Sequence, residues 1–414
     1  MEYRFLLTIR RNDKLLMGKE ELIRQLDGFD VSQRHSALQI LKAMSDRGEI
    51  PVQPNRGWLN LHGHTFFSFS AYGFSPSHFL WEAFCRGLDM AGIVDFDVLD
   101  GLEETFTSAE ILGIKTEVGF ETRVFIREYA DKVINSPGEP GVFYLMGTGF
   151  FCQPKEGSRA AAILDSLKKR AQARNRLIIE RVNIFLTPVV INYETDVLPM
   201  TPKGNATERH ILTAYYQRAG ELFPDLEKRI RFWAEALKVP EEEVRNKIDQ
   251  PHNFQELARM KMMKGEGVGY IKPGPDTFPP LEEVVEMVQL TGAVPTATFN
   301  DGTSEGEKNI EEILAFLKDK GMPLVNIIPE RFWNIKDPAE KALKSANLKS
   351  LMTAARNLKV LVVVGTEMNR YGQPLVDNFE VPELKAYLGD FQQAGRFLWE
   401  HTRQCSARGS SLTR

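Results

Sequence analysis

The chain has 414 residues, beyond the ~250–300 at which one core usually stops growing, so two domains or one large barrel with an insertion are expected. Its net charge of −4 and pI near 6.1 give no broad electrostatic footing for nucleic acid or an anionic membrane, although a local basic groove stays open. Three scattered cysteines, Cys85, Cys152 and Cys405, form no Cys-x-x-Cys pair, which argues against a disulfide framework or a thiolate zinc site.

No targeting segment stands out. The apolar patch Phe5-Leu6-Leu7 is broken by arginines, and no run approaches the ~18 apolar residues of a membrane span. A cytoplasmic protein with reduced thiols and no membrane partner is expected. Residues 1–57 read as a helical extension: apolar spacing predicts helices over 18–26 and 32–47, with Ser32 as N-cap and Gly48 as stop. Pro51-Val52-Gln53-Pro54-Asn55 then reads as a linker.

Leu59-Asn60-Leu61-His62-Gly63-His64 predicts a short strand that ends in two imidazoles. Side chains at i and i+2 of a strand share a face, so His62 and His64 can converge on one point, which is half of a transition-metal site. The following residues, 58–152 in all, alternate strand and helix. A helix opens at Ser75-Pro76-Ser77 and stops at Gly87. A buried strand over 90–97 delivers Asp95 and Asp97 at its end, a helix covers 103–112, and strands cover 115–123 and 141–147. This rhythm implies a parallel sheet or β/α barrel, whose sites form at strand C-terminal ends.

Residues 153–265 read as a helical insertion, with helices over 158–182, 208–222, 225–237 and 241–248. The basic residues of the first, among them Lys168, Arg170 and Arg174, read as a solvated face. Residues 266–400 return to strand and helix, with strands over 295–299, 324–329 and 361–364 and helices over 309–320 and 340–359. Residues 401–414 read as a polar tail, expected to fray.

His62-x-His64-Thr65-x-x-Ser68, followed by Ser75-Pro76, Gly87-Leu88, Asp95-Phe96-Asp97, Gly101 and Glu121, resembles the opening of the PHP (polymerase and histidinol phosphatase) domain. Gly269-Tyr270-Ile271-Lys272, Pro295-Thr296-Ala297-Thr298-Phe299 and Val364-Gly365-Thr366-Glu367-Met368-Asn369 resemble that family's late segments. The resemblance covers residues 58–150 and 266–395. It implies an α/β fold, a distorted seven-stranded β/α barrel, and phosphoester hydrolysis with two or three metal ions. It also implies that His62, His64 and Glu121 ligate metal, with Glu367 standing where the family has Asp.

Several positions depart from the family. Phe69, Ser70, Phe96, Tyr144, Phe299 and Asn369 stand where further ligands belong, and a phenyl ring cannot ligate a cation. What remains is a single-metal site of His62, His64, Glu121 and Glu367. Two imidazoles and two carboxylates there suit one divalent Zn, Mn or Fe ion. Glu121 and Asp97 are the catalytic candidates, Asp97 as an acceptor that orients a ligand histidine. Arg123, Arg331 and Arg370 follow matched strand ends and could grip a phosphate or carboxylate. Asp301, in an Asn-Asp-Gly turn, and His210, in a weak echo of a family Arg-Pro-His-Ile motif, complete the substrate-binding candidates. Similar helical insertions cap the barrel mouth in PHP phosphoesterases acting on nucleotides or oligonucleotides.

Three functions follow. One is a metal-dependent phosphoesterase acting on a small phosphorylated or anionic metabolite, with nucleotides included. The second is a catalytically inactive binding or regulatory protein built on the same barrel. The third is a single-metal sugar isomerase or lyase. A barrel alone does not choose among them.

Overall fold

A computed structural model describes residues 18–274 and 277–412; the Phe5-Leu6-Leu7 patch lies outside them, as do the last two residues of the expected tail. Seven strands lie in sequence order in one sheet: β1 (Leu59–Gly63), β2 (Met90–Phe96), β3 (Lys115–Phe125), β4 (Val142–Thr148), β5 (Val294–Phe299), β6 (Leu324–Ile327) and β7 (Leu361–Val364). The sheet curls until its edges meet. Just past β7, Glu367 bridges Gly63, and the His64 N–H donates to the Glu367 carbonyl at 2.8 Å. A Cβ on Gly365 would fall 2.3 Å from that of His62, so only glycine lets the last strand end approach the first this closely. The expected distorted β/α barrel is the observed fold.

The strand directions correct one expectation. β1 to β3 are parallel, as are β5 to β7, but β4 runs antiparallel to both its neighbours. Between β3 and β4 the chain makes only a short 3₁₀ turn at Arg127–Tyr129. Without a crossover helix the chain can return only antiparallel.

Around the barrel, α1 (residues 18–25) and α2 (Val31–Asp46) precede β1. The helices α3 (Pro76–Cys85), α4 (Leu102–Leu112), α10 (Leu281–Leu290), α11 (Ile310–Asp319) and α13 (Pro338–Leu358) pack outside the sheet. Local sequence sets their ends. Ser75 caps α3 by accepting from the His78 N–H, Pro76 takes the first turn, and Gly113 closes α4 with φ of 72°. α11 buries Ile310, Ile313, Leu314 and Leu317, one helical stripe, each contributing about 1.5–3 kcal/mol by leaving water. α2 is capped by Asp30, whose carboxylate accepts from the Ser32 and Gln33 N–H groups, so Ser32 lies inside the helix rather than capping it.

The N-terminal helices are welded to the barrel. Arg34, 2% exposed, donates through Nε to Glu104 Oε1 at 2.8 Å and through Nη2 to Oε2, and caps Gly28 O at 2.6 Å through Nη1. Ser77 adds a hydroxyl bond to the same Glu104 carboxylate at 2.7 Å. Asp27 accepts from the Ser75 N–H at 3.0 Å and lies 2.7 Å from His78 Nδ1.

Between β4 and β5 the chain is helical: α5 (Arg159–Phe185), α6 (Glu208–Leu222), α7 (Leu226–Leu237), α8 (Glu241–Ile248) and α9 (Pro251–Met262) precede α10. They enclose a second hydrophobic core around Tyr215, Trp233 and Phe254. The sequence reading missed α9. Its opening, Pro251-His252-Asn253, has turn composition, yet proline at the first helical position is compatible with a helix start. The tail expectation also fails, because α15 (Leu388–Leu412) carries residues 401–412 in helix and Thr402 is buried. Among the described residues no helix is long and apolar enough to cross a membrane.

One buried acid inside the sheet has a measurable signature. Glu117 accepts from the Gly149 N–H at 3.0 Å, while its Oε1 has no partner. Burial pushes its pKa up to about 8. The folded state then holds a proton that the unfolded chain releases from about pH 4.5 upward, so stability falls as pH rises from there to about 8. Glu117→Gln is expected to match the wild type near pH 5 and to exceed it by up to a few kcal/mol at pH 8, about 1.4 kcal/mol per pH unit. Urea midpoints that differ between wild type and variant by the same amount at both pH values would overturn this assignment.

Candidate active site

β1 delivers its two imidazoles where β3 delivers Glu121. The Nε2 atoms of His62 and His64 lie 3.7 and 3.5 Å from the same Glu121 oxygen, and all three side chains are buried. Both Nε2 atoms lack a hydrogen-bond partner. Among the described residues these three form the one group of His, Cys, Asp or Glu whose ligand atoms lie within 4.8 Å of one another.

The opposite ring nitrogens show why Nε2 is left free. His62 Nδ1 lies 2.8 Å from Asn326 Oδ1, whose amide nitrogen faces the Val363 carbonyl at 3.5 Å. An amide oxygen only accepts, so Nδ1 carries the proton and Nε2 keeps its lone pair. His64 Nδ1 lies 3.2 Å from Ser68 Oγ, which donates its own proton to Asp95 Oδ1 at 2.6 Å. Ser68 therefore accepts from His64, and that Nε2 too presents a lone pair. Asp95 is fixed in turn by the Thr65 N–H at 2.8 Å and hydroxyl at 2.7 Å.

Two buried lone pairs facing one carboxylate fit a divalent cation. The electrostatics agree. Burial alone would lift Glu121, but the two neighbouring imidazoles outweigh it and hold the pKa down to about 2. Burial likewise disfavours a charged His62, but Glu121, Glu367 and Asn326 outweigh it and raise its pKa. Positive charge at this point is stabilised. Ser68→Ala or Asn326→Leu is expected to weaken metal binding about 10–100-fold by freeing a ring to turn. Competition against a fluorescent chelator would measure it, and unchanged affinity would sink the orienting role.

The fourth expected ligand is committed elsewhere. Glu367 Oε1 is 2.8 Å from Arg331 Nη2, and its Oε2 accepts from Gln373 Nε2 at 3.3 Å. Its backbone is left-handed, with φ of 61°. Asp97 shares that conformation with the same φ of 61°, which breaks strand alternation, so that Phe96 and Asp97 both face the cavity. The expected role of Asp97 in orienting a histidine belongs to Asp95 instead. Asp97 accepts from Thr122 Oγ1 at 2.5 Å, and burial raises its pKa. The Phe96 ring stacks on His64, 4.3 Å between centroids, and so covers the face of the imidazole with carbon.

The cluster opens into a cavity of about 440 Å³. Strands and the stretches that follow them supply Glu121, Arg123, Asn300, Arg331, Glu367 and Arg370, while the helical segment supplies Arg170, Arg174, Glu208, Arg209 and Arg259. The basic side of α5 therefore corrects an expectation: Leu167, Arg170, Ala171 and Arg174 form one stripe on the cavity wall. Most of these cations are paired. Arg123 lies 3.1 Å from Glu139, Arg259 lies 3.0 Å from Glu208, and Arg209 is bonded to Glu256. Arg174 instead lies against Phe278, 5.4 Å from its centroid, and its Nε has no partner. Burial, then the adjacent Arg123, pull its pKa down to about 10.

Two substrate-binding candidates lie off this cavity. His210 Nδ1 accepts from the Thr207 N–H at 3.1 Å and caps α6, and burial pulls its pKa down to about 4. Asp301 is held by Lys344 at 2.9 Å and by Thr303, so it builds its turn. Sequence reasoning missed Asn326, Arg174, Arg259 and Phe278. The i, i+3, i+4, i+7 spacing of Leu167, Arg170, Ala171 and Arg174 was a usable signal for Arg174.

No family model matches the chain, and no curated protein does. Among solved structures the chain is similar to a candidate metal-dependent phosphoesterase from Bifidobacterium adolescentis, at 16% identity and a TM-score of 0.51 over 81% of this chain and 97% of that one. A second is an amidohydrolase from Chromobacterium violaceum with bound sulfate and no metal, at 15% identity and a TM-score of 0.49 over 79% and 96%. The likeness to the first defines the class of fold, a distorted β/α barrel.

Proposed function

We propose that the protein is a metal-dependent phosphoesterase of the PHP type, with one divalent ion held by His62, His64 and Glu121. The observation that carries this reading is the pair of buried, lone-pair-bearing Nε2 atoms facing one carboxylate inside a cation-walled cavity. When bound, such an ion supplies Lewis acidity toward a phosphoryl oxygen.

The chain's own residues do the rest. Arg174 and Arg370 draw an anionic substrate into the cavity and orient it. Asp97 is the cavity carboxylate placed to take or return a proton, while Phe96 and Phe299 exclude water from the cluster. The cavity volume suits a small phosphorylated metabolite, with nucleotides among the candidates.

The test couples metal content to turnover. Protein purified without chelator or affinity tag is assayed by elemental analysis, then stripped, reloaded with Zn²⁺, Mn²⁺ or Fe²⁺, and offered phosphomonoesters, phosphodiesters and nucleotides. About one equivalent of metal with metal-dependent phosphate release is expected. Loaded protein that releases no phosphate from any of them would overturn the reading.

A further inference from the structure

Glu367 and Arg331 close off a second cation site in a way that points to the guanidinium itself. A two-metal hydrolase clamps the attacking and leaving oxygens between two ions, which requires a carboxylate free to face each ion. On the barrel seam beside the histidine cluster stands Glu367, whose backbone carbonyl accepts from the His64 N–H at 2.8 Å. Both of its side-chain oxygens are occupied, one by Arg331 and the other by Gln373. The positive charge on this wall is therefore already in place.

Its position is fixed from below. Arg331 belongs to α12 (Glu330–Trp333), which begins directly after the strand that carries Asn326, the residue that orients His62. Its Nη1 donates to Asn300 Oδ1 at 2.8 Å and its Nη2 to Glu367 Oε1 at 2.8 Å. A guanidinium has five N–H donors, so these two bonds set the plane and leave three for a ligand. The side chain is 35% exposed and lines the same cavity as Glu121 and Glu367. Arg123 and Arg259 are likewise paired, with Glu139 and Glu208, but their side chains are only 12% and 26% exposed.

We propose that Arg331 is the second cation of this site, a guanidinium standing in for a second metal ion and binding the anionic oxygens of the substrate beside the His62–His64–Glu121 cluster. This rests on the phosphoesterase reading for the identity of the anion. It extends that reading by assigning the site one metal and one arginine. Such an arginine holds two oxygens of a phosphate in a fixed plane, which lysine's point charge does not.

The experiment uses full-length protein loaded with Mn²⁺ and titrated with inorganic phosphate. Paramagnetic broadening of the ³¹P line reports only phosphate that sits next to the ion. The wild type is expected to hold one Mn²⁺ per chain and to broaden the line saturably. Arg331→Met should raise the half-saturating phosphate concentration about 10- to 100-fold at unchanged metal content. Arg331→Lys should fall between the two, and it preserves the test if the methionine variant fails to fold. Phosphate binding unaffected by Arg331→Met would overturn the proposal, as would two Mn²⁺ per wild-type chain reduced to one by Glu367→Gln. If loaded protein hydrolyses no phosphoester while the Arg331 dependence holds, the phosphoesterase reading fails and the anion site stands.

Discussion

On the proposed reading, replacing Glu121 by alanine is expected to remove the ion and lower phosphoester turnover by on the order of 10³-fold, since metal stabilisation of transition-state charge amounts to several kcal/mol. The reason is geometric. Strand alternation brings His62 and His64 to one point, and the Glu121 carboxylate faces both of their Nε2 atoms, at 3.7 and 3.5 Å, where it would offset the charge of an ion. Two neutral imidazoles alone leave a divalent ion uncompensated in a buried place. Glu121→Gln separates charge from shape, since the amide fills the same space and still loses most of the metal. Elemental analysis beside a melting curve reads both effects, and full metal content in the alanine variant would remove Glu121 from the site.

The second large effect lies far from the chemistry. Arg34→Met is expected to cost about 3–5 kcal/mol, because it strands a buried Glu104 carboxylate with only Ser77 and solvent-excluded surroundings. It also frees Gly28 O, so α2 should loosen from α3 and α4 together. Adding Glu104→Leu to the same chain should restore much of the loss, since an apolar pair of similar volume needs no counter-charge. Chemical denaturation of the wild type, the single variant and the double variant forms the cycle. A loss under about 1 kcal/mol in the single variant would place the pair with ordinary surface bridges.

Much of the fold was legible because its signals are local. Buried runs such as Met90–Phe96 and caps such as Ser75-Pro76 declare themselves over a few residues. The antiparallel β4 was not legible, since direction depends on what the intervening loop fails to contain. The convergence of the histidine pair with Glu121 was readable from strand alternation and family resemblance. Asn326 was not, because its bond to His62 joins residues 264 apart in sequence. Glu367 was readable as a carboxylate at a strand end but not as the partner of Arg331, since pairing depends on the positive φ that turns its side chain. His210 failed for the opposite reason: a short motif echoed a family pattern while the residue was serving as a helix cap.

The seam between β1 and the stretch after β7 also sets an order in time. The Asn60 side chain, two residues before His62, donates to Thr366 Oγ1 across 306 residues of sequence. At ~5–20 residues per second of synthesis, a nascent chain holds both imidazoles for ~15–60 s before that partner exists. Until then the pair has neither a closed barrel nor its Asn326 orientation, and any ion it meets is chosen by abundance and intrinsic affinity rather than by geometry. On the proposed single-metal reading, selective capture of the ion would therefore begin only after the final strand has been made and docked.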